Sequence, residues 1–206
     1  MTAAVIPAIL AGCGSSGSNV SNPQPVPSTQ PAAARSSSPA AASQAPVPAE
    51  SNPPGDIPDT TVYVPFASAK GHLKLNVPEG WSRRDMATSS TFTSNLNSIS
   101  IAWPTMKAAP TVSTARRTTV AALSHATLAF RMQLVRSVTL PGGPAVEIVY
   151  QVNSPPNAVT GRQYRLVIER FEFFSRGRGA VLSLSSAVGS DNVDPWRIVS
   201  ESFRWR

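Results

Sequence analysis

From Asp59 onward, short apolar segments alternate with turn signals. Leu73, Leu75 and Val77 alternate with His72, Lys74 and Asn76, which predicts a half-buried strand. Pro78-Glu79-Gly80 ends it as a turn, and Trp81 follows. Thr91 to Ser94 and Asn97 to Trp103 read as a hairpin with Ile99, Ile101 and Trp103 on one face. Val146, Ile148, Tyr150 and Val152 keep another period of two. The turn Pro141-Gly142-Gly143-Pro144 precedes that strand, and a loop from Asn153 to Gly161, with Pro155 and Pro156, follows it. Arg162 to Phe174 predicts a long strand whose apolar phase shifts near Glu169-Arg170, as at a bulge or strong twist. Arg176-Gly177-Arg178-Gly179 is then the hairpin turn into Ala180 to Val188.

Two stretches carry helical spacing. Thr111 to Met132 places Val112, Val120, Leu123, Ala126 and Phe130 roughly on one face, with Pro110 before it and Thr111 or Ser113 able to cap it. Asn192 to Phe203 carries a stripe of Trp196, Val199 and Phe203. Asp191 or Asp194 can cap that helix, and Pro195 suits its first turn. Strands grouped around one long helix, closed by a second helix, predict an α+β domain with an antiparallel sheet. Residues 59–206 suit one domain.

Composition changes sharply ahead of that domain. Gly14 to Pro58 is 45 residues long and holds 10 of the 20 prolines, with Ser, Ala, Asn and Gln making up most of the rest. It has no aromatic residue, no hydrophobic period, and only Arg35, Glu50 and Asp56 as charges. Such a segment cannot bury enough apolar surface to offset chain entropy, which predicts a disordered spacer of roughly 35–40 Å reach.

Before the spacer, Ala3 to Leu10 is apolar and uncharged, too short to span about 30 Å of hydrocarbon but of signal-peptide length. The run Leu10-Ala11-Gly12-Cys13 resembles the lipobox of bacterial lipoproteins. The resemblance implies a signal peptide over residues 1–12. It also implies a diacylglycerol thioether on Cys13 as the mature first residue, and an extracytoplasmic protein held to the membrane by lipid. Met1-Thr2 brings no basic n-region, so the expected start lies upstream. Cys13 is the only cysteine; once acylated it leaves no thiol for a disulfide or a Cys-based metal site.

The C-terminal run Asp191-Asn192-Val193-Asp194-Pro195-Trp196-Arg197-Ile198-Val199-Ser200-Glu201-Ser202-Phe203-Arg204-Trp205 follows Gly-Arg-Gly-Ala-Val-Leu-Ser-Leu. It resembles the end of PsbP-like domains, as do Val77-Pro78-Glu79-Gly80-Trp81 and Leu140-Pro141-Gly142-Gly143-Pro144-Ala145-Val146. The order of lipobox, Pro/Ser/Ala tether (13–58) and such a domain (59–206) is similar to actinobacterial lipoproteins of the mycobacterial Lpq type. The resemblance implies an α/β/α sandwich: a curved antiparallel sheet flanked by the long helix and the C-terminal helix. It also implies an accessory or assembly role, and it brings no catalytic residues.

The residues themselves give little chemistry. His72 and His125 are the only histidines and lack metal-ligand spacing, so no metal or other cofactor is expected. No G-x-S-x-G marks a nucleophile elbow. Glu169 and Glu172 sit among arginines and read as ion-paired rather than as a glycosidase pair. Charge is the remaining signal. From Asp59 there are 17 Lys and Arg against 9 Asp and Glu, and 14 of the 17 are Arg. Arg162, Arg165, Arg170, Arg176 and Arg178 fall on one long hairpin, with Arg83-Arg84 and Arg116-Arg117 elsewhere. Guanidinium groups suit bidentate contact with phosphate or carboxylate. Outside a membrane this points to an anionic lipid, a glycopolymer or an acidic envelope protein rather than nucleic acid, with a merely basic solvated surface as the plainer alternative. The expected role is a non-catalytic binding module; alternatives are carriage of a lipid or small hydrophobe and, third, a hydrolase with an unrecognised site.

Overall fold

The computed structural model describes residues 44–49, 51 and 55–206. Cys13, the signal segment and most of the tether lie outside those residues.

Two antiparallel sheets form the frame. β1 (Tyr63–Ser68), β2 (Leu73–Pro78) and the short β10 (Arg204–Trp205) make a small sheet in the order β1-β2-β10. β3 (Ser82–Met86), β4 (Ser89–Ser94), β5 (Asn97–Ala102), β6 (Arg131–Leu140), β7 (Gly143–Asn153), β8 (Arg165–Ser175) and β9 (Arg178–Ala187) make the large one, in the order β3-β4-β5-β9-β8-β7-β6. Between β5 and β6 the chain forms α1 (Val112–Ala115), a π-helical turn (Arg116–Val120) and α2 (Ala121–Ala126), joined without a break in helical dihedrals. α3 (Val193–Ser202) follows β9.

The two faces of the large sheet are covered by different layers. On one, Phe92, Ile99, Ile101, Phe171, Phe173, Leu182 and Leu184 pack with Phe66, Leu73, Leu75 and Val77 of the small sheet and with Trp196, Val199 and Phe203. On the other, Val135, Val146, Ile148, Tyr150, Val152 and Ile168 pack under Ala115, with Val112, Val120 and Leu123 against them. The α+β class is as expected, but the single sheet is not: a second, three-stranded sheet covers one face of the large sheet together with α3, and the long helix covers the other. In the long helix the apolar positions Val112, Ala115, Val120 and Leu123 step by three, five and three. The step of five falls on the π turn, whose wider winding returns Val120 to the packed face.

β8 serves both cores. Ile168 faces the helix layer, while Phe171 and Phe173 face the small sheet. The shift of apolar phase at Glu169-Arg170 is therefore not a bulge: pairing with β7 and β9 is continuous from Leu166 to Phe173. Both faces stay covered, and the strand changes which face carries its large apolar side chains. The irregularity lies in β6, between Met132 and Leu134.

Two further expectations need correction. The helix predicted to Met132 ends at Ala126: Thr127 is extended, its hydroxyl donates to Leu123 O at 2.8 Å, and Ala129 turns at φ 51°. Phe130 still packs as the helical pattern suggested, but from the entry to β6, with its ring 5.4 Å from that of Tyr150. Neither Asp191 nor Asp194 caps α3. Asn192 holds the cap position and spends its side chain elsewhere. Thr111 does cap α1, in a reciprocal pair with Thr114.

Residues ahead of Asp59 take part in the fold. The Asn192 side chain accepts from Ile57 N at 2.8 Å and donates to Gly55 O at 2.9 Å, and Asn97 donates to the same carbonyl. Ile57 is buried in the larger core. Further back, the Asn153 amide donates to Ala45 O at 2.8 Å and accepts from Val47 N at 3.1 Å. Both contacts lie at the end of the large sheet where β8 begins and β9 finishes.

Candidate functional site

The five hairpin arginines do not share a face. Arg162 precedes β8, with its guanidinium 5.0 Å from the centre of the Tyr164 ring. Arg165 is buried and structural: it donates to Ala129 O at 2.7 Å and to Asn153 Oδ1 at 3.1 Å. Burial, with Arg131 nearby, holds its pKa below the usual guanidinium value. Arg170 points to the opposite face and donates to Glu172 Oε1 at 3.0 Å, the oxygen that also accepts from Thr119 Oγ1 at 3.0 Å. This triad ties β8 to the π turn.

Arg176 and Arg178 differ from the other three. They are exposed at the far end of the β8–β9 hairpin, on a turn in which Arg176 (φ 49°) and Gly177 (φ 77°) are both left-handed. Such a pair matches the twist of the flanking strands. Three other segments close around the tip: Lys70-Gly71-His72 between β1 and β2, Trp103-Pro104-Thr105 after β5, and Trp205-Arg206 at β10. A cleft of about 180 Å³ lies between the first two and Arg178. A second, of about 240 Å³, is lined by Ser175, Arg176, Arg178, Trp205 and Arg206. The backbone joins these segments, with Arg206 N donating to His72 O at 2.7 Å.

Missing side chains make the close approach possible. A Cβ on Gly71 would stand 2.9 Å from the Trp103 ring, and one on Gly179 would stand 2.5 Å from Met106 Cγ and 2.8 Å from Pro104 O. Gly71 thus packs directly on the Trp103 indole. Trp205 is braced edge-on against Phe203, with ring centres 5.3 Å apart. Among the described residues none of Lys70, Arg176, Arg178 and Arg206 is in an ion pair. Neither cleft has an Asp or Glu in its lining. Lys70, Trp103, Trp205 and Arg206 carry no local motif, and only the tertiary fold brings them to the hairpin tip. Arg83 stands apart, paired with Asp85 at 2.9 Å and lying over the Phe66 ring at 4.7 Å.

The carboxylates are arranged differently from the Glu169–Glu172 grouping read in the sequence. Those two project from opposite faces of β8. Glu172 is ion-paired with Arg170, as expected. Glu169 instead shares a face with the buried Glu147 of β7, which accepts from Arg136 Nε. Burial, then repulsion from Glu147, raises the Glu169 pKa above the ordinary glutamate range, against the pull of Arg136. His72 and His125 are far apart in the fold, in the β1–β2 turn and in α2. No group of three His, Cys, Asp or Glu residues suited to a metal occurs among the described residues. No helix among them is long and apolar enough to cross a membrane.

No family model matches the sequence, and no curated protein matches it by sequence. The fold does match solved structures. It is similar to the Ran-binding protein Mog1p of Saccharomyces cerevisiae, at 8% identity and a TM-score of 0.51, over 71% of this chain and 96% of that one. It is similar to cyanobacterial PsbP (CyanoP) from Synechocystis, at 15% identity and a TM-score of 0.50, over 74% and 98%. LpqN of Mycobacterium tuberculosis, described as involved in cell envelope biogenesis, matches at 13% identity and a TM-score of 0.44, over 71% and 91%. The chain spans about half (48%) of a Bacteroides thetaiotaomicron protein that it also matches. At such identities the likeness is one of fold, and the α+β fold expected from the C-terminal run is shared with a PsbP protein.

Proposed function

We propose that this chain is an extracytoplasmic, lipid-anchored accessory module that binds an anionic partner at the β8–β9 hairpin tip and performs no chemistry on it. The observation that carries the reading is the gathering of Arg176, Arg178, Lys70 and Arg206 without Asp or Glu partners among the described residues, beside two indoles. Arg165 and Arg170 drop out of the contact set because the fold itself consumes them. Anchoring rests on the lipobox-like Leu10-Ala11-Gly12-Cys13 run, and the tether then supplies reach. Mass spectrometry of the native N-terminus should find diacylglycerol on Cys13; an unmodified residue there removes the anchor. Crosslinking in intact cells should capture a partner that the double variant Arg176→Asn/Arg178→Gln loses. Capture that persists in the variant refutes the assignment of the site.

Carriage of an apolar ligand is the weaker reading. The cleft between the long helix and the sheet, about 400 Å³, includes Met106 and Ala115, but Arg170, Glu172, Thr118 and Thr119 also line it. Desolvating that ion pair under an acyl chain opposes binding. Native mass spectrometry that shows a co-purified lipid would reverse this preference.

A further inference from the structure

We infer that the hairpin tip binds an anionic glycan, a sugar chain whose rings bear phosphate or carboxylate. This rests on the tip being the contact site and names the partner it fits. Lys70, Arg176, Arg178 and Arg206 come from three separate segments and bring four cationic side chains against one anion, the α-carboxylate of Arg206, so about three positive charges remain that a bound anion would offset. Guanidinium forks hold phosphate or carboxylate bidentately. Each flanking cleft contains one indole, Trp103 in the first and Trp205 in the second, and each is of a size for a single sugar ring. Indole faces accept the C–H face of a pyranose while the cations take its acidic substituent. Gly71 packs on one ring and Phe203 on the other, which limits the side-chain entropy left to lose on binding.

A lipid bilayer fits less well. The large exposed apolar residues of the described chain are Val62, Met86, Met132, Leu134, Val159, Val193 and Ile198, and none lines the clefts at the tip. The apolar groups at the tip are the two indoles, and both are partly buried against the larger core rather than projecting as a membrane-inserting surface would need. The tether also meets the domain at the opposite end of β9, through Asn153, Asn97 and Asn192. Ten extended residues separate the two ends by about 30 Å. The cationic tip is therefore presented away from the point where the chain enters.

The test titrates the 206-residue chain with a phosphomannan, with polygalacturonate and with phosphatidylglycerol vesicles, following tryptophan fluorescence and heat. At least one glycan should bind at low salt, with affinity falling as salt rises. Arg176→Asn and Arg178→Gln should each weaken that binding about tenfold, or ~1.4 kcal/mol. Asn tolerates the left-handed backbone at position 176, and circular dichroism should confirm that folding is retained. Arg116→Gln/Arg117→Gln removes two charges elsewhere and should leave affinity unchanged; an equal loss would reduce the effect to net charge and overturn the site. Trp103→Phe/Trp205→Phe should abolish the fluorescence change. Binding of the phosphate polymer alone identifies phosphate as the anion, and binding of the polyuronate alone identifies carboxylate. If neither glycan binds while crosslinks in cells still depend on Arg176 and Arg178, the glycan assignment falls and the accessory role stands. Arginine-dependent vesicle binding without glycan binding also overturns it, in favour of a membrane surface.

Discussion

Replacing Asn192 with alanine should destabilise the whole domain, because one buried amide fastens the segment ahead of β1 to the rest. Asn192 is 2% exposed. Its Oδ1 accepts from Ile57 N, and its Nδ2 donates to Gly55 O and, at 3.2 Å, to Asn97 Oδ1. In the alanine variant Gly55 O keeps the Asn97 donor, but Ile57 N–H is left buried without an acceptor and the buried Asn97 Oδ1 without a donor. Each of the two stranded buried groups costs about 1–3 kcal/mol, and the lost bond to Gly55 O, which is otherwise served, costs roughly 0.5–1.5 kcal/mol. The total is at least about 3 kcal/mol, or a fall of roughly 6–12 °C or more in Tm for a domain of this size. Asn192→Asp is the sharper control. Its carboxylate still accepts from Ile57 N but confronts two oxygens, so it should be at least as unstable as alanine at pH 7. It should recover in acid, where the protonated group can donate to Gly55 O. Calorimetric melts of the full chain at pH 7 and pH 4 read both effects. A shift below about 2 °C for Asn192→Ala would show that Gly55–Ile57 lies outside the cooperative unit, and the reasoning would fail.

Other variants test separate parts of the fold. Glu169 binds its proton more tightly folded than unfolded, so its contribution is complete below the ordinary glutamate range and lost as pH rises through its raised value. Glu169→Gln should therefore exceed wild type in urea midpoint at pH 7 and match it near pH 4; a deficit at pH 7 would contradict the burial argument. Phe173→Ala removes a fully buried ring stacked 4.3 Å from Phe203 and should cost about 3–5 kcal/mol by chemical denaturation. Thr111→Ala breaks the reciprocal cap on α1 and should cost about 1 kcal/mol, seen as faster amide exchange confined to the first helical turn.

What could be read from the sequence follows burial. β2 and β5 bury alternate side chains, and β7, covered on both faces, still alternates the apolar residues Val146, Ile148, Tyr150 and Val152, so their period of two was visible. α3 was visible from its stripe for the same reason. β3 buries nothing and forms by pairing with β4, so no apolar signal marks it. β6 is an edge strand with Val135 as its one buried residue, and its bulge breaks the residual period; the preceding helical pattern ran straight over it. β1 carries Pro65, which an edge strand tolerates and a sequence scan penalises. At the tip, Arg176 and Arg178 were legible because they sit on a recognisable turn. Their partners Lys70, Trp103 and Trp205 lie on three other segments, and nothing local to them indicates that they meet.

The change of apolar face along β8 has a consequence for how that strand finds its place. A uniformly alternating strand excludes slips of one residue but accepts slips of two, which return the same faces. β8 excludes both. Slipped by two toward the hairpin, Glu169 would take the place of Phe171, between Glu147 and Leu182 in the larger core. Slipped by two the other way, Arg170 would take the place of Ile168, between Tyr150 and Ser185 under the helix. Each mispairing buries a charge in a site shaped for an apolar chain. The interruption of the pattern thus leaves the hairpin a single alignment, and the turn bearing Arg176 and Arg178 projects to one fixed length.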